Sequence, residues 1–169
     1  MKKLLIVIDM QNDFIYGSLG TGEARAVLPY VKAKIEEYRK AGQDIVFTRD
    51  THDTHYLETQ EGKNLPVPHC IRGTDGWQIV KGLHLDEPVF DKPTFGSSKL
   101  ADFVKAGCYD EVALLGVCTD ICVLSNAVLV KTACPEMSVK VYEKGCAGVT
   151  PDAHKAAIAV LSSIQVEIL

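Results

Sequence analysis

Gly116-Val117-Cys118-Thr119-Asp120-Ile121-Cys122-Val123 follows the apolar run Val112-Ala113-Leu114-Leu115 and leads into a segment of helical apolar periodicity. A wholly apolar run of this length suits a parallel strand buried on both faces, and the change of period after it marks a strand-to-helix turn. Cys122 sits at that turn. Free backbone N–H groups and the positive end of a helix dipole favour a thiolate there, and the same N–H groups can hold an oxyanion. The competing reading is a small, buried, inert cysteine.

Working outward, the same strand-then-helix alternation recurs along the chain. Leu4 to Ile8 is an apolar run closed by Asp9, as expected of a central strand. Gln11-Asn12-Asp13-Phe14 and Gly17 to Gly22 read as loop. Ala24 to Ala41 carries Val27, Leu28, Val31, Ile35 and Tyr38 at helical spacing and stops at Gly42. Gln43 to Thr48 reads as the second strand and delivers Arg49-Asp50 to its end, and the next forty or so residues are mostly irregular. Glu87 to Phe90 is a third short strand ending at Asp91-Lys92-Pro93, and Ser97 to Ala106 a helix capped by Gly107. Val112 to Val117 is the fourth strand and Asp120 to Ala133 its helix, closed by Pro135. Val139 to Tyr142 is the fifth strand. Thr150-Pro151-Asp152 has the N-cap, first-turn proline and acidic first turn of a helix reaching about Ser162, before a sixth strand, Ile164 to Leu169. This alternation predicts a doubly wound, three-layer α/β/α architecture on a six-stranded parallel sheet, with ligands at the C-terminal ends of the strands.

The bulk composition narrows the functions. At 169 residues the chain suits one domain, 1–169, with a substantial core. A formal charge of −4 without clustered Lys or Arg argues against a nucleic-acid surface and for small-molecule partners. The apolar run at the N-terminus is cut by Asp9 and lacks a small-residue cleavage site, so it reads as a strand of a cytoplasmic protein, and no run approaches a membrane span. Six cysteines without a CxxC pair are expected to be reduced. Cys70, Cys108, Cys134 and Cys146 are assigned to packing, His84 and His154 to solvated surface.

Asp9, Asp50, Lys92 and Cys122 each fall at or just beyond the end of a different expected strand, so a parallel sheet would bring all four to one crevice. A partly buried carboxylate, Asp9, can take the proton of Cys122. Lys92 beside both would favour the ionised thiol and carboxylate and stabilise a tetrahedral intermediate. Asp50-Thr51-His52 with His69 supplies carboxylate and imidazole ligands of types that suit Zn²⁺, Fe²⁺ or Mn²⁺. Glu61, Glu58 or His55 can complete that shell, with Glu61 preferred for its nearness to His69.

Five segments together resemble the isochorismatase-like cysteine hydrolases, and among them the nicotinamidase branch: Ile8-Asp9-Met10-Gln11-Asn12-Asp13-Phe14; Asp50-Thr51-His52; Pro68-His69-Cys70-Ile71-Arg72-Gly73-Thr74-Asp75-Gly76-Trp77; Asp91-Lys92-Pro93; and Gly116 to Val123. The resemblance runs nearly end to end and implies the isochorismatase-like hydrolase fold. It implies a catalytic triad of Asp9, Lys92 and Cys122, and a divalent metal, foremost Zn²⁺, on Asp50, His52 and His69 with a variable fourth ligand, here Glu61. It also implies a cis peptide at Val117-Cys118 and an oxyanion hole from the backbone of Cys118 and Cys122. Phe14 and Trp77 are candidates to stack on a pyridine ring.

The expected reaction is hydrolysis of nicotinamide to nicotinate and ammonia through a thioester, and the expected partners are a small amide and further copies of the chain in a homo-oligomer. The alternatives are a family hydrolase of another small amide or a vinyl ether, and a thiol redox or metal-binding protein using Cys118 and Cys122.

Overall fold

The computed structural model describes residues 1–169. Its elements, in chain order, are β1 (Lys3–Ile8), α1 (Asn12–Ile15), α2 (Gly22–Lys40), β2 (Asp44–Asp50), α3 (Gln60–Asn64), β3 (Val89–Lys92), α4 (Ser98–Gly107), β4 (Glu111–Val117), α5 (Leu124–Ala133), β5 (Ser138–Ala147), α6 (Pro151–Ser163) and β6 (Glu167–Ile168). A 3₁₀ turn, Tyr56–Glu58, precedes α3, and a π-helical turn, Thr119–Val123, precedes α5.

The six strands form one sheet in the order β3-β2-β1-β4-β5-β6, every pairing parallel, with helices on both sides. That order reverses direction between β1 and β4, which are neighbours in register from Lys3↔Glu111 to Ile8↔Gly116. The topological switch point therefore lies between the ends of these two strands, where a parallel α/β sheet opens a crevice. Leu4 to Ile8 and Val112 to Leu115 have no exposed surface, as expected of central strands covered on both faces.

Side-chain caps start the long helices: Thr21 accepts from the Ala24 N–H, Ser97 from Leu100 and Thr150 from Ala153. Several boundaries differ from the sequence reading. Asn12–Ile15 is a helical turn rather than loop, and α3 lies within the stretch read as irregular, capped by Thr59 accepting from Gly62. The chain leaves α4 through Cys108, not Gly107, in the left-handed conformation (φ 49). Cys108 is exposed rather than packed.

β3 runs two residues later than expected, so Lys92 closes the strand. β5 continues through the polar Glu143-Lys144 to Ala147, pairing again with β4 after a register shift between Leu114 and Gly116. β6 is only Glu167–Ile168, because Gln165 turns left-handed (φ 68) and the Val166 N–H bonds back to Leu161. All six cysteines are free.

Candidate active site

Four strand ends converge at the switch point. Asp9 follows β1, Asp50 and Lys92 close β2 and β3, and Cys122 lies in the π turn after β4. Asp50 and Lys92 are register partners. Asp9, Asp50, Lys92 and Cys122 are all buried.

The Lys92 ammonium is the hub of this group. Its Nζ lies 2.7 Å from Asp9 Oδ2 and 3.4 Å from Asp50 Oδ1, and it donates to Cys122 Sγ at 3.4 Å and to the Thr94 carbonyl at 3.1 Å. Asp9 Oδ1 accepts from the Thr48 hydroxyl at 2.6 Å. Oδ2 is fully buried and faces the Lys92 ammonium.

Burial dominates the protonation equilibria here. Desolvation raises the Asp9 carboxyl, an effect that Lys92 and Thr48 only partly offset. Desolvation, followed by the Asp9 charge, pushes the Cys122 thiol well above its usual range, and Lys92 counters this without reversing it. Lys92 is held firmly protonated: burial works against its charge, but Asp9, Cys122 and Asp50 outweigh it. Burial therefore opposes the thiolate that the turn's N–H groups favour, and forming it falls to a neighbouring base.

A second cluster joins the first through Asp50. Asp50, His52, Glu61 and His69 bring one ligand atom each to within 4.8 Å of one another. His52 Nε2 lies 3.0 Å and His69 Nε2 3.4 Å from Asp50 Oδ2, and both approach Glu61 Oε1, at 3.6 and 3.8 Å. His69 Nδ1 is 2.8 Å from the Val67 carbonyl. A carbonyl can only accept, so Nδ1 carries a proton and Nε2 is the nitrogen that faces the two carboxylates. Two imidazoles and two carboxylates gathered this closely suit a divalent cation.

Glu58 and His55, the alternative fourth ligands, are exposed and pair with each other at 3.3 Å. The Tyr56 ring packs 4.7 Å from that of His52 and 5.0 Å from that of His69, while its hydroxyl donates to the Leu65 carbonyl.

Both clusters face one cavity of about 410 Å³. Cys122, Asp50, Glu61 and His69 line it, Cys118 and Phe14 lie in its wall, and Phe95 and Val149 are exposed at its edge. The Val117-Cys118 peptide is cis.

Trp77 does not line this cavity, which corrects the pairing of Phe14 and Trp77 as stacking residues. Its indole N–H donates to Thr51 at 2.8 Å and the Arg49 guanidinium lies 3.4 Å from its ring centroid, so the ring face is already taken.

An isochorismatase domain model matches residues 3–169. The chain belongs to the isochorismatase family. Among its relatives, an isochorismatase family protein of Bacillus subtilis (strain 168) is 34% identical over 143 residues, covering 76% of this chain and 78% of that one. A nicotinamidase/pyrazinamidase of Mycobacterium tuberculosis is 27% identical over 190 residues, covering 99% and 98%. Among solved structures, a pyrazinamidase of Pyrococcus horikoshii in complex with zinc superposes with a TM-score of 0.88 at 26% identity, covering 100% and 99%.

Several residues were given no structural role by the sequence reading. Gln11 is fully buried, its amide bonding both the Asp50 N–H (2.7 Å) and the Asp50 carbonyl (2.8 Å), so it ties the end of β1 to that of β2. Thr48 was foreshadowed only as a polar residue closing an apolar run. His84 and His154 are half-buried rather than freely solvated: His84 Nε2 lies 2.9 Å from the Glu87 carbonyl, and His154 Nδ1 lies 2.8 Å from the buried Thr119 hydroxyl.

Proposed function

We propose that this protein is a metal-containing cysteine amidohydrolase that converts nicotinamide to nicotinate and ammonia. The observation that carries the reading is the shared cavity: the Cys122 thiol, contacted by Lys92 in an ion pair with Asp9, opens onto the same space as a two-histidine, two-carboxylate cluster. The nicotinamidase/pyrazinamidase relatives support the choice of amide.

In this mechanism Asp9 takes the Cys122 proton, and burial, by raising the carboxyl, makes it the stronger base. The thiolate attacks the carboxamide carbon. Backbone N–H groups of Cys118 and Cys122 hold the oxyanion, with the Lys92 charge beside it. Asp9 returns its proton to the leaving nitrogen and ammonia departs, leaving a thioester on Cys122. Water then attacks the thioester carbonyl with Asp9 again as base, and nicotinate leaves as the thiol re-forms. Phe14 offers its ring to the pyridine.

Asp50, His52, Glu61 and His69 would hold the metal, with Zn²⁺ the favoured ion since the Pyrococcus relative was solved with zinc. When bound, the ion supplies a Lewis-acidic position for the pyridine nitrogen.

Ammonia release from nicotinamide, pyrazinamide and aliphatic amides, with and without chelator, tests the reading. Turnover of the two heteroaromatic amides and its loss on chelation are expected. Cys122→Ala is expected to abolish release while leaving the circular dichroism spectrum unchanged, and retained turnover would defeat the proposal.

A further inference from the structure

Asn126 lies one helical turn beyond Cys122, on α5, and is completely buried. Its Nδ2 donates to the Cys122 carbonyl at 2.8 Å and to the Phe95 carbonyl at 3.1 Å, and its Oδ1 accepts from the Ser97 N–H at 3.0 Å. One amide thus grips the nucleophile's own backbone on one side and two points of a loop on the other.

That loop, Pro93 to Ser97, is the continuation of the strand that ends in Lys92. Its Thr94 carbonyl accepts from Lys92 Nζ, and its Phe95 lines the cavity. It lies close on α5: a Cβ on Gly96 would come within 2.6 Å of Leu129 Cδ1. The approach of the Lys92 ammonium to Cys122 Sγ therefore depends on how this loop sits against the helix that follows Cys122.

We infer that Asn126 is a positioning residue for the hydrolysis: by clamping the loop after Lys92 to the Cys122 carbonyl, it sets the ammonium-to-sulfur geometry and the Phe95 wall. This rests on the amidase reading above. Displacements of about 1 Å, caused by a change away from the reacting atoms, can cost about a hundredfold in rate. The bonds to Cys122 and Ser97 are buried and that to Phe95 is partly so, so removing the amide would take a partner from polar groups shielded from water.

The test compares Asn126→Ala and Asn126→Thr with the unaltered, metal-loaded protein. Three readouts are taken: kcat and KM for nicotinamide, the rate at which iodoacetamide alkylates Cys122, and thermal unfolding. A threonine hydroxyl can bond back to the Cys122 carbonyl within the helix but cannot also span to both Phe95 and Ser97, so this variant keeps the helix and loses the clamp. For both variants kcat is expected to fall about tenfold to a hundredfold, with KM moving less and alkylation slowing by a comparable factor.

A purely structural asparagine would lower the unfolding temperature but leave kcat and alkylation unchanged in the folded protein, and that result overturns the inference. If the alanine variant does not fold, the threonine variant decides, and failure of both to fold would also overturn it by showing that the clamp serves folding. Should the unaltered protein release no ammonia, the amidase reading fails, while the alkylation comparison still tests the clamp by itself.

Discussion

Replacing Lys92 by methionine keeps the length of the side chain and removes the one cation among Asp9, Asp50 and Cys122. For unit charges 2.7 Å apart, Coulomb's law at an effective dielectric constant of about 20 gives about 6 kcal/mol for the Lys92–Asp9 attraction. The cost of desolvating both groups offsets part of this. Removing one partner alone, however, leaves the other charge buried and uncompensated, at about 3–5 kcal/mol. For a chain of this size each kcal/mol moves the unfolding midpoint by about 2–4 °C, so Lys92→Met is expected to lower it by roughly 6–20 °C at neutral pH.

The pH dependence fixes the cause. Asp9 is a carboxyl whose folded-state value is raised, and loss of Lys92 raises it further. The penalty is therefore largest above the folded value, where Asp9 must be charged, shrinks as pH falls below it, and is gone only below the ordinary carboxyl value of the unfolded chain. Adding Asp9→Asn to Lys92→Met removes the orphaned charge and is expected to recover most of the loss. Urea unfolding followed by circular dichroism, on the unaltered protein and the single and double variants across acid to neutral pH, measures all of this. A single variant within about 1 kcal/mol of the unaltered protein, or a double variant less stable than the single, would refute the reasoning.

Two further outcomes follow from the geometry. Glu61→Gln keeps the side chain's shape but removes a charge from the four-residue cluster, and is expected to weaken divalent-metal binding by more than about tenfold, as metal titration would show. At the far end of the sheet, Glu111 pairs with Lys3 and Lys140, each at 3.0 Å, and Glu87 bonds Arg39 at 2.7 Å. Burial works against both carboxylates, but the Leu85 N–H and Arg39 on Glu87, and Lys3 and Lys140 on Glu111, hold them below their ordinary 4.5. Their stabilisation is present above that pH and lost as pH falls through the depressed values. Acid unfolding is expected to steepen there, and Glu87→Gln with Glu111→Gln to flatten it.

Much of this was legible in the sequence because it rests on period and punctuation. The apolar runs Leu4 to Ile8 and Val112 to Leu115 could be little but central strands, and in a parallel sheet their ends must share an edge. Asp9, Asp50, Lys92 and Cys122 were accessible to reasoning for that cause alone. What stayed hidden depends on contacts between distant segments. Trp77 has the size of a stacking residue, yet its face is covered by Arg49 from another element. Nothing in a single asparagine at 126 signals that its three bonds reach back to 95, 97 and 122. The burial that opposes the Cys122 thiolate is likewise a property of the assembled fold, and neither motif nor helix end carries it.

Bringing Asp9 and Cys122 together across the switch point also puts demands on the backbone. A crevice opens there because the chain connections leave β1 and β4 in opposite directions, but the two strands must still meet closely enough for an acid and a sulfur to share one ammonium. Asp9 adopts a left-handed backbone (φ 48), which a short polar side chain tolerates better than most and which turns its carboxylate off the strand axis. Opposite it, Gly116 takes φ 126 at the shift in register with β5, and a Cβ there would collide with the Ile8 carbonyl. The glycine that opens the nucleophile motif thus acts on the general base: it lets β4 press against the last residue of β1, so that Asp9 emerges beside Lys92. The Asp9 carboxylate so placed and the Cys122 sulfur share the Lys92 ammonium, the proximity that the proposed proton transfer between them requires.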